Sequence, residues 1–116
     1  MHETLVHNEL QKLRLTNGQV LSYQHFGQDY LSAPVIVINH PLTANSCVTG
    51  SEGWWNDLIG AHKTIDTNVY AIICFNIPGN GYDGHFIDDF QHWHTGTVAG
   101  YFIAGLRQLG IKKVHT

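Results

Sequence analysis

At 116 residues the chain has room for one domain or part of one. Its 43% hydrophobic and 13% charged residues exclude a disordered chain, which needs low hydrophobicity and high net charge. A net charge of −3 with six Lys and Arg excludes the basic footprint of a nucleic-acid-binding surface, and Lys112-Lys113 reads as a solvated approach to a strand. No stretch reaches the ~20 apolar residues that span a bilayer, so no membrane partner is expected. The first residues, MHETLVHNEL, lack a basic-then-apolar leader pattern, and a cytoplasmic location is expected. Two cysteines form no disulfide framework. Cys74 lies in an apolar run and reads as an inert core residue, whereas Cys47 lies in a loop and reads as partly exposed.

The first predicted unit is a β-hairpin. Glu9 to Leu15 and Gln19 to Phe26 flank Thr16-Asn17-Gly18, and Asn-Gly is the strongest short hairpin signal because both residues accept φ > 0. Leu13 and Leu15 alternate with charged neighbours, and Leu21 and Tyr23 with polar ones, which predicts one buried face. Val35 to Ile38 and most of Val69 to Phe75 are apolar without alternation. Such runs suit parallel strands covered on both faces, and the roughly thirty residues between them suffice for a crossover. Within that crossover Gly53 to Gly60 reads as a short helical segment.

Gly79 to Phe90 is a loop by composition. From Thr97 to Leu109 the spacing predicts a helix, with Val98, Phe102, Leu106 and Leu109 on one face and Ala99 and Ile103 beside them. Gly110 is its C′ glycine, with Ile111 placed for the contact beyond the cap. Lys113 to Thr116 begins a further strand. The order predicts an α/β fold, a mostly parallel sheet with an antiparallel N-terminal hairpin.

In open α/β sheets ligands bind beyond the carboxyl ends of the strands. Two such ends are Asn39-His40-Pro41-Leu42-Thr43 and Asn76-Ile77-Pro78-Gly79-Asn80-Gly81, both proline-bearing and irregular. Asn-x-Pro-Gly also serves as plain turn chemistry. In the first loop Pro41 has no N–H, so the first backbone donors after His40 are those of Leu42 and Thr43. A loop stiffened by proline aims such an amide with little reorganisation, which is what stabilising an oxyanion requires.

These residues carry a resemblance. "NHPLTANSCVTG" followed by "GWWNDLIGAHKTIDTNVYAIICFNIPGN" resembles the N-terminal third of homoserine O-acetyltransferases, over about Leu10 to Thr116. The family pattern is a His-Ala-Leu-Thr-Gly turn, a Gly-Trp-Trp segment, an Ile-Asp-Thr-x-x-Tyr approach to the next strand and Asn-x-x-Gly after it. These correspond to His40 to Ala44, Gly53 to Gly60, Ile65 to Tyr70 and Asn76 to Gly79. The resemblance implies the N-terminal part of a single α/β-hydrolase domain spanning 1–116. It implies acyl transfer from acetyl-CoA, a substrate rather than a bound cofactor, to the hydroxyl of homoserine through a serine acyl-enzyme. It assigns the backbone N–H of Leu42 to the oxyanion hole and makes Thr43 the candidate substrate contact. The nucleophile would follow a strand beginning at Val114, beyond Thr116, so this chain alone is expected to be inactive. Pro41 and Ala44 replace the family's alanine and glycine, and Gly96-Thr97 stands where an Arg-Asp pair is common. An ester hydrolase on the same scaffold, or an inactive fragment or subunit needing a partner, are the alternative readings.

Other candidates are weaker. His85, His92 and His94 are close in sequence, yet no Cys or acidic set completes a zinc spacing, so no metal is expected. His40 is a base in isolation, but the family's base comes from the C-terminal part, which leaves His40 to order the turn. Cys47 has no evident helix N-terminus or histidine to activate it. Ser46 and Ser51 lack a nucleophile elbow. Trp54 and Trp55 offer a stacking surface, with burial of at least one against the sheet the expected use. Finally, Val69 to Phe75 is expected to expose unpaired edge groups, so the chain is expected to self-associate or take a complementing chain.

Overall fold

The computed structural model describes residues 9–16, 18–40, 45–50, 53–77 and 95–114, without the side chains of residues 95 and 96. Its centre is a four-stranded mixed sheet of β1 (Gln11–Arg14), β2 (Val20–Gly27), β6 (Ala71–Phe75) and β3 (Val35–Val37), in that order. The hairpin forms where Asn-Gly predicts it. β1 pairs antiparallel with β2, Leu13 opposite Leu21. The turn closes through Leu15 N–H to the Gln19 carbonyl at 2.7 Å, with Gly18 at φ +91°.

β6 pairs antiparallel with β2 and parallel with β3. The two continuously apolar runs therefore lie side by side and parallel, as their texture predicts. The expectation that Val69 to Phe75 forms an open edge is corrected. β2 and β3 flank β6, and all five of its residues are buried. Val69 itself lies outside the strand and is exposed. The hairpin supplies the missing neighbour, because the antiparallel β2 register runs from Tyr23↔Phe75 to Gly27↔Ala71.

The sheet is covered on both faces. One carries Leu21, Tyr23, Val35, Ala71, Ile73 and Phe75 under helix α1 (Thr95–Gln108). The other carries Phe26, Ile72 and Cys74 under Val48, Ile59 and Trp54 of the β3–β6 connection. β2 is consequently buried along its length rather than on one face as its alternation predicts.

Helix α1 ends as its sequence predicts. Ile111 N–H donates to the Leu106 carbonyl and Gly110 N–H to that of Arg107, each within 3.0 Å, with Gly110 at φ +85°. This is the six-to-one and five-to-two pattern of a Schellman cap. The helix packs through Tyr101, Phe102, Leu106 and Leu109, and Phe102 stacks on Phe75 at 5.3 Å. Ala99 and Ile103 face outward instead of flanking the buried stripe. The reason is Gly105, which faces the sheet so closely that a Cβ there would meet Leu21 Cδ2 at 2.7 Å and Phe75 Cε1 at 2.9 Å.

Two further expectations change. Gly53 to Gly60 is not helical: turns built on the Trp55 carbonyl, which accepts from Leu58 and Ile59 N–H, lead into β4 (Ile59–Gly60), paired parallel with β5 (Ile65–Asp66). Six residues between two glycines are too few for a cooperative helix. Ile111 to Val114 is irregular rather than a strand, and residues 115–116 lie outside the described residues.

Candidate functional site

The carboxyl ends of the parallel pair β3 and β6 lie together, and the chain leaves them through Asn39-His40 and Asn76-Ile77. His40 is buried, and its Nε2 accepts the Ile77 N–H at 3.0 Å. An accepting Nε2 carries no proton, so the imidazole is the neutral ring with hydrogen on Nδ1. His40 thus ties one strand end to the other, and its Nε2 lone pair is engaged there; the turn it is expected to order lies outside the described residues.

On the far side of residues 41–44 the chain is held still more tightly. Ser46 N–H donates to Asn76 Oδ1 at 2.8 Å. Ser46 Oγ donates to Gln24 Oε1 at 2.5 Å and accepts from Asn76 Nδ2 at 2.8 Å. Asn76 Nδ2 also donates to Ser22 Oγ at 3.0 Å. Asn45 is fixed through its carbonyl, which accepts from Trp54 Nε1 at 2.8 Å, and its side chain accepts the Cys47 N–H at 2.9 Å. Every side-chain polar atom buried among the described residues has a partner.

The predicted site residues themselves, Leu42 and Thr43, lie outside the described residues, as do Pro41 and Ala44. The structure brings together what flanks them: both ends of the 41–44 segment are hydrogen-bonded to Asn76-Ile77 at the end of β6. Ser46 is engaged as both donor and acceptor and buried completely, so it is no nucleophile. Cys47 and Cys74 are free thiols. Burial pushes the Cys74 thiol up to about 12, against a smaller lowering by the His40 backbone. Trp54 packs on the core, and Trp55 stacks on it at 5.2 Å with its outer face exposed. His85, His92, His94 and Ser51 lie outside the described residues, among which no group of three metal-ligating side chains occurs.

Ser22 and Gln24 escaped sequence reasoning. Their alternation with Leu21 and Tyr23 signals a polar face, but only the connection folded over it shows that this face is buried.

No family profile matches the chain. A homoserine O-acetyltransferase from Zymomonas mobilis is 42% identical over 73 residues, covering 57% of this chain and 20% of that protein. The crystal structure of a homoserine O-acetyltransferase from Staphylococcus aureus superposes with a TM-score of 0.68 at 23% identity, covering 97% of this chain and 38% of that one. The chain is related to homoserine O-acetyltransferases and has the N-terminal part of the α/β-hydrolase fold. A crystal structure of an esterase superposes on this α/β-hydrolase fold nearly as well, with a TM-score of 0.66 at 21% identity over 91% of this chain and 38% of that one. The chain spans about a fifth of the length of the curated relative and under two fifths of each solved neighbour.

Proposed function

We propose that this chain is the part of a homoserine O-acetyltransferase-like enzyme that presents half of the oxyanion hole. In this reading the acyl-enzyme serine comes from sequence beyond Thr116. Its Oγ attacks the acetyl-CoA thioester carbonyl, the CoA thiol departs with a proton, and the hydroxyl of homoserine then takes the acetyl group and regenerates the serine. The carbonyl oxygen that gains charge in each step is stabilised by the backbone N–H of Leu42, with Thr43 beside it as a substrate contact. One observation carries the reading: the His40–Ile77 and Ser46–Asn76 bonds anchor both ends of residues 41–44 to one strand end. A loop held from both sides is the arrangement that aims an amide without reorganisation at the moment of reaction. The enzyme is cytoplasmic in this reading.

The test separates backbone from side chain at position 42, in the complete enzyme carrying this segment. Leu42→Ala keeps the N–H and is expected to lower kcat only modestly. Leu42→Pro deletes it and is expected to cost ~100–1000-fold. Equal rates for the two variants with matched melting curves would overturn the assignment. The esterase neighbour favours a second reading in which water is the acyl acceptor; release of free acetate without O-acetylhomoserine would select it.

A further inference from the structure

The Leu42 reading leaves four side chains without a role: Ser22 and Gln24 on β2, Ser46 after the turn, and Asn76 at the end of β6. They come from three separate parts of the chain, and all four are almost wholly buried. Their hydrogen bonds join all four into one network. Asn76 Nδ2 donates to both Ser22 and Ser46, Asn76 Oδ1 receives the Ser46 N–H, and the Ser46 hydroxyl passes its own hydrogen to Gln24 Oε1. Flipping the Asn76 amide would set its NH2 against the Ser46 N–H, a backbone donor that can accept nothing, so that N–H fixes which way the Asn76 amide points.

Polar groups of this kind are expensive to bury beside Phe26 and Ile72, and an apolar layer would hold the sheet equally well. What they supply instead is a fixed position for Ser46, two residues after the 41–44 segment. We infer that Gln24 is a positioning residue: through Ser46, and with Asn76 and Ser22, it anchors the chain just after residues 41–44, to which the Leu42 amide belongs. This rests on the oxyanion-hole reading of Leu42.

Two variants test it in the complete enzyme. Gln24→Leu removes the acceptor for the Ser46 hydroxyl, and Ser46→Ala removes the hydroxyl itself with a smaller change in volume. For each, kcat is expected to fall on the order of 10–100-fold, as small misplacements of catalytic groups do, while KM for the acyl donor stays within about twofold. Amide hydrogen exchange supplies a readout independent of activity. The Ser46 amide is expected to exchange about tenfold faster, whereas the Ile38 amide, bonded to the Ile73 carbonyl, is expected to keep its protection. Acceleration at Ile38 equal to that at Ser46 would reduce Gln24 to a stabiliser of the fold and overturn the inference. Local loosening at Ser46 with unchanged kcat would overturn it as well. Leu42→Pro run alongside separates the two ideas: a harmless Leu42→Pro sinks the oxyanion reading, while a damaging Leu42→Pro with a harmless Gln24→Leu sinks only the positioning role.

Discussion

Cys74 and Cys47 are 27 positions apart in the sequence, and their surroundings make them chemically different. Cys74 is buried in the inner strand, and desolvation of its thiolate holds the thiol near 12 against an ordinary value of 9.0. Cys47 is a half-buried loop thiol lying 3.7 Å from the Thr49 carbonyl. Iodoacetamide at pH 8 is expected to label Cys47 alone in the folded chain, with Cys74 reacting only after denaturant is added; mass spectrometry of the two peptides reads the outcome. Folding favours the neutral Cys74 thiol, so its contribution is intact below pH 9 and is lost progressively between pH 9 and about 12. Tyr23 acts in the same sense, since burial and then Tyr30 raise its phenol. Thermal melts across that alkaline range are expected to show falling stability. A flat profile would mean that Cys74 is reached by water.

At the scale of elements, α1 holds three glycines, and its sequence does not distinguish the inner two, Gly100 and Gly105. Gly100 faces open space, with nothing within 4 Å of where a Cβ would stand, whereas a Cβ at Gly105 would meet Leu21 and Phe75. An alanine in an exposed helix interior is worth ~0.5–1 kcal/mol over glycine. Gly100→Ala is therefore expected to raise the melting temperature. Gly105→Ala carries the same propensity gain but wedges a methyl group into a packed contact, which typically costs about 1–3 kcal/mol, so it is expected to lower it. If both variants stabilise alike, α1 does not sit as close to the sheet as Gly105 places it. The helix is anchored at its C-terminal end by Gln108 Nε2 donating to the Arg14 carbonyl, which ties it to β1.

At the scale of the molecule, the described sheet has two edges, β1 and β3. An open groove of about 500 Å³ runs beside the start of β3, between residues 30–35 and 110–114, with Leu31 66% exposed on its rim. Edge strands with unpaired backbone groups and apolar surroundings seek partners, and a chain of this size has little stability in reserve. We expect 1–116 by itself to self-associate or to take a complementing chain, now through the β3 edge and not through β6. Size-exclusion chromatography with light scattering at micromolar concentration checks this. A monomer of 13.0 kDa with a cooperative melt would show that the chain covers that edge unaided.

The hairpin, the two apolar strands, the helix and its cap were all legible in the sequence because each rests on local chemistry. Asn-Gly sets a turn, an apolar run needs cover on both faces, and Gly110-Ile111 closes a helix wherever it is packed. The rim beyond the strands was legible too, since Asn39-His40 and Asn76 follow directly on apolar runs. Which strand lies innermost was not, because β2 lies some 45 residues before its neighbour β6 and pairing at that separation leaves no local mark. The same holds for Ser22 and Gln24. Alternation shows that one face of β2 is polar, but only the connection that brings Val48, Ser46 and Ile59 across the sheet turns that face from solvated into buried, and so makes a hydrogen-bonded network of it.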